Sequence, residues 1–83
     1  MTNREAKILK ALLDVLNNLD GAQAGEITLH AETNLVVECA ATEFAAVLKL
    51  GTDRKWINAV PSRLTGKNKY NLTDAGEAAR LEF

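Results

Sequence analysis

Tyr70-Asn71-Leu72-Thr73-Asp74-Ala75-Gly76 changes its periodicity in the middle, and that change decides how the C-terminal third is read. Lys69 to Leu72 alternates, which puts Tyr70 and Leu72 on one face of a strand. Thr73 is a favoured helix N-cap, opening a last helix over 74–82 whose apolar residues are Ala75, Ala78, Ala79 and Leu81. Just upstream, Trp56-Ile57-Asn58-Ala59-Val60 reads as another strand, and Pro61 to Asn68 is a loop by composition. The two strands and the loop between them make a hairpin.

The first half is helical. Thr2-Asn3-Arg4-Glu5 has the form of a capping box, with Thr2 as N-cap and Glu5 reaching back. Leu9, Leu12, Leu13, Leu16 and Leu19 follow at helical spacing, widened by Ile8 and Val15, and Asp20-Gly21 stops the helix. The first helix therefore spans 3–19. Glu26-Ile27-Thr28-Leu29 alternates and suits a minor strand. His30 to Glu38 suits a short helix starting near Ala31-Glu32, although Val36-Val37 would equally serve a strand and Asn34 a turn. A hairpin there would give a different order of elements. From Thr42 to Leu50 the pattern is helical, with Phe44, Val47 and Leu48 on one face and Gly51 as the stop.

Helix, short strand, short helix, helix, strand, basic loop, strand is the order of winged-helix domains. Residues 70–76 resemble the Y-x-L-T-x-x-G phrase that ends the wing in many small bacterial and phage winged-helix regulators. About thirty residues separate Ile27 from Trp56-Ile57, room for a minor strand and a helix-turn-helix pair in that family. The resemblance implies one α+β, mostly α domain over 1–83: a three-helix core, a hairpin wing and a C-terminal helix. It also implies duplex-DNA binding in transcription regulation, with helix 42–50 as reader and loop 61–69 as wing. Carried onto this chain, the DNA-contacting residues are Thr42, Lys49, Arg54, Lys55, Arg63, Lys67 and Lys69.

Charge agrees with that wing. The chain carries −1 overall, but residues 1–48 hold −4, residues 49–70 hold +5 and residues 71–83 hold −2. The six basic residues of the middle block face Asp53 alone. The reader helix fits less well, because its outward residues are Thr42, Ala45, Ala46 and Lys49. Two alanines reach no base-edge donor or acceptor, though alanine can touch a thymine methyl.

Other chemistry finds little support. Cys39 is the one cysteine, which leaves no internal disulfide and reads as a small buried hydrophobe. His30 is the one histidine; it has no partners at ligand spacing and reads as solvated or cap-side. Glu32, Glu38 and Glu43 read as a solvated face, Trp56 as core, and Gly66-Lys67 lacks the rest of a phosphate-binding loop. No enzyme, metal or cofactor is expected. Neither a signal peptide nor a membrane span is read, so the expected location is cytoplasmic. A homodimer through the first or last helix would enlarge a DNA site. The alternative reading is a winged-helix protein–protein module, favoured by the alanine-rich helix and the acidic first half.

Overall fold

The computed structural model describes residues Met1–Phe83. Its elements run α1 (Asn3–Asn18), β1 (Ala24–Gly25), α2 (Glu26–Val36), α3 (Ala41–Asp53), β2 (Ile57–Pro61), β3 (Asn68–Leu72) and α4 (Asp74–Arg80). The three strands form one antiparallel sheet in the order β1-β3-β2. This is the winged-helix arrangement: three helices, a hairpin wing, and a closing helix.

Helix α1 begins as its sequence dictates. Thr2 Oγ1 accepts from the Glu5 N–H at 3.1 Å and the Glu5 carboxylate accepts from the Thr2 N–H at 3.1 Å. Each bond satisfies an amide that the first turn leaves without a partner. Ile8, Leu9, Leu12, Leu13 and Leu16 are all buried and meet Leu29, Phe44, Val47, Leu48 and Ile57 in one core. Burying each of these large side chains is worth about 1.5–3 kcal/mol, so α1 is the post around which the other elements pack. Leu19 caps its end, and the chain turns through Asp20 (φ 52°) and Gly21 (φ 86°).

Three boundaries differ from the sequence reading. The minor strand lies at Ala24–Gly25 and not at 26–29, which form the first turn of α2. The alternation at 26–29 misled because α2 buries only Leu29 and Thr33, one turn apart, and leaves Ile27 exposed. The stretch 30–38 is thereby helical through Val36, and no hairpin forms there. Secondly, α3 does not stop at Gly51. A Cβ there would lie 2.6 Å from Ile57 Cδ1, so the glycine is a gap for the first residue of β2. The helix runs on to Asp53 and turns at Lys55, a lysine held at φ 64°. Thirdly, α4 ends at Arg80, with Leu81 as its cap.

The joint between hairpin and α4 explains the residues 70–76 phrase. Tyr70 and Leu72 are half-buried against the core. Thr73 Oγ1 accepts from the Gly76 N–H at 3.0 Å and donates to the Lys55 carbonyl at 2.6 Å. Gly76 is buried, and a Cβ on it would lie 2.1 Å from the Trp56 carbonyl oxygen. Only glycine allows the first turn of α4 to come so close to the start of the hairpin.

Candidate nucleic-acid interface

Helix α3 is held in place by its neighbour α2. Two side chains of α2 bind both backbone groups of Cys39 in the turn before α3. Asn34 Oδ1 accepts from the Cys39 N–H, and His30 Nε2 donates to the Cys39 carbonyl, each at 2.8 Å. A carbonyl only accepts, so the Nε2 atom carries a proton. The His30 ring also stacks on Phe44, with centroids 5.0 Å apart. His30 is therefore half-buried and structural, where a solvated or cap-side residue was expected. Burial keeps the neighbouring Cys39 thiol above its ordinary pKa, in keeping with a packing role.

At the start of α3, Ala40 has no side chain with which to cap. Glu43 takes half of that task, accepting from the Ala40 N–H at 3.1 Å. The same carboxylate binds the Arg4 guanidinium in two contacts of 2.5 and 3.0 Å, and Arg4 also reaches the Glu38 carbonyl. Arg4 first, and the Ala40 amide after it, pull the Glu43 pKa down to about 2. Glu43 thus joins α1 to α3 and is no member of a merely solvated face.

Phe44, Val47 and Leu48 point into the core, as their spacing implied, which leaves Thr42, Ala45, Ala46 and Lys49 exposed. Lys49 lies 3.2 Å from Asp53 in an exposed pair. Ala45, Lys49 and Thr52 form one wall of an open cleft; Ala59, Asn68 and Tyr70 of the hairpin form the other. Lys67 and Asn68 also border the N-terminus of α2, at Gly25 to Thr28. Asn68 faces both clefts. Its type and place in a polar loop gave no sign of this. Glu26 lines both as well and is the one acid set against the wing.

The basic block is divided by the fold. Arg63, Lys67 and Lys69 lie on the wing, all exposed, and none reaches a carboxylate. Arg54 and Lys55 lie at the other end of the hairpin, five residue pairs away, or roughly 16 Å at the usual rise of a strand. There Arg54 sits over the Trp56 ring, 5.2 Å from its centroid, and Phe83 meets the same ring edge-on at 5.8 Å. Trp56 is half-buried at the margin of the core. Of the seven residues singled out, Lys49 lines the cleft between α3 and the hairpin and Lys67 the one beside α2, with Thr42 farther along α3. Arg63 stands at the wing tip and Lys69 alternates to the sheet face opposite Asn68 and Tyr70, whereas Arg54 and Lys55 lie at the other end of the hairpin. No three His, Cys, Asp or Glu side chains gather as metal ligands. No helix is long and apolar enough to cross a membrane.

No family model matches the sequence, and no curated protein matches it. Among solved structures, the crystal structure of SSV1 F-93 superposes with a TM-score of 0.69 at 17% identity, covering 99% of this chain and 82% of that one. At that identity the likeness is one of fold. It runs over nearly the whole chain and supports the winged-helix fold described above.

Proposed function

We propose that the protein binds duplex DNA, as a small transcription regulator whose wing grips phosphates while the exposed face of α3 lies in the major groove. The observation that carries this reading is the set of three unpaired cations, Arg63, Lys67 and Lys69, on a projecting hairpin. Cations left without carboxylates are ready to release the counterions of a phosphate chain. Lys49 and Thr42 supplement them from α3, and Asn68 adds an amide beside the cleft. The short residues Ala45 and Ala46 make the helix a shallow reader, so phosphate contact and DNA shape dominate over base-edge recognition. Arg54 and Lys55 stay outside the contact surface. The same reading places the protein in the cytoplasm, without catalytic activity or cofactor.

A protein–protein role has its own support, in the exposed Ile27 (77%), Leu35 (81%) and Val36 (66%) of α2. One titration separates the two. Backbone amide shifts are followed while a random short duplex is added at low salt. Shifts at 42–49 and 61–69 that fade as salt rises are the expected result. A spectrum unmoved by millimolar duplex would sink the DNA reading and turn attention to the α2 face.

A further inference from the structure

The wing ends in a tight, closed tip. The Ser62 N–H donates to the Lys67 carbonyl and the Gly66 N–H to the Ser62 carbonyl, each at 3.0 Å, and Gly66 turns the chain at φ 70°. At the middle of this tip stands Leu64, 98% exposed, the most exposed large hydrophobic side chain in the molecule. Lone surface leucines are common and argue nothing by themselves. This one differs in its company. Arg63 precedes it, Lys67 follows across the closed tip, and neither has an acidic partner. Electrostatics bring such a tip to an anionic polymer, and the group that arrives foremost is an isobutyl side chain. It cannot pair with a phosphate or hydrogen-bond a base edge. What it can do is enter between base pairs, as apolar wedges in the minor groove do.

The reader helix points the same way. With Thr42, Ala45 and Ala46 too short to read many base edges, selectivity has to come from how readily the DNA deforms. We propose that Leu64 is a wedge: it enters the minor groove at the wing, partly unstacks one base step and kinks the duplex there. The inference rests on the duplex-DNA reading above. It gives the protein a preference for easily opened pyrimidine–purine steps, TA above all, at the place where the wing lands.

The test uses a short duplex with a central TA step and a fluorophore at each end. Wild-type protein is expected to raise energy transfer between the ends. Leu64→Ala should bind about ten-fold more weakly, with the salt slope unchanged and no rise in transfer. The tip is exposed, so this variant folds as the wild type does. Wild-type binding that leaves the DNA straight, or a Leu64→Ala variant that bends it fully, overturns the wedge and leaves phosphate binding intact. If the wild type binds no duplex at any salt, the DNA reading itself falls. Binding to phosphatidylserine vesicles that is lost in Leu64→Ala, with DNA left straight, overturns the wedge in favour of a lipid surface.

Discussion

In the helical body Arg4 reaches Glu43, Lys10 and Arg80 share Asp14 at 3.0 and 3.1 Å, and Lys49 lies beside Asp53. On the wing, Arg63, Lys67 and Lys69 reach no carboxylate at all. The two regions use the same side chains for different ends. In the body Arg4–Glu43 ties α1 to α3 and Arg80–Asp14 ties α4 to α1, while the other two pairs lie within single helices, and part of the acidic excess of the first half is consumed in this way. Burial opposes ionisation of Asp14, yet the hydrogen bonds from Lys10 and Arg80 outweigh it and hold the carboxyl below its ordinary pKa. Net charge near zero is therefore a poor guide here. The −1 of the whole chain is the sum of a wing carrying +3 and a remainder carrying −4, and a partner meets the wing locally.

The largest test of this division strikes the seam between the regions. Gly76→Ala drives a methyl into the Trp56 carbonyl, and backbone cannot yield as a side chain can. It should cost about 3 kcal/mol or more, read as a drop in the urea midpoint. A loss below about 1 kcal/mol would mean that the hairpin and α4 are not rigidly joined. Next comes the triple change Arg63→Ala, Lys67→Ala, Lys69→Ala. The slope of log affinity against log salt should flatten by roughly 2.7, for three lost phosphate contacts, with thermal stability almost unchanged. Duplex affinity that survives the triple change would remove the functional half of the comparison.

Glu26 sharpens the same contrast, as the one acid facing the wing clefts. Glu26→Gln should tighten duplex binding about three-fold at low salt, and the gain should vanish as salt rises. Lys55→Gly relieves a left-handed lysine and should raise stability by about 0.5–1 kcal/mol. Since Lys55 stands at the far end of the hairpin, duplex affinity should hold within about two-fold. A larger loss would return the hairpin base to the interface. The smallest effect belongs to the body. The Glu43 carboxyl has its pKa depressed to about 2 from an ordinary 4.5, so its contribution is complete above 4.5 and is lost as pH falls towards 2. Wild type and Glu43→Gln should therefore differ in melting temperature at neutral pH and converge by pH 2.

What the sequence made legible was whatever local chemistry controls. The Thr2 box, the leucine stripe of α1 and the Thr73 cap are each determined by residues within a few positions of one another, and the hairpin joins strands adjacent along the chain. What it hid depended on contacts across the fold. Gly51 looks like a helix stop until Ile57 is seen packing into the space it leaves. The start of α2 was obscured because Ile27, Leu35 and Val36 lie outside, which blurs the helical period. In the site, the wing cations were legible from composition. Their separation from Arg54 and Lys55 was not, because a count along the chain knows nothing of where a hairpin puts its two ends. Asn68 carried no signal at all.

The grip of His30 and Asn34 on Cys39 also bears on time. A turn between two helices normally exchanges its amide hydrogens with water almost at will, since opening it breaks little. Here the Cys39 N–H is held by a side chain rooted in α2, and its carbonyl is held from one turn away on the same helix. Freeing that amide requires α2 itself to loosen. Its exchange should run at the slow rate of the helix, and the angle at which α3 is offered to a partner should persist just as long.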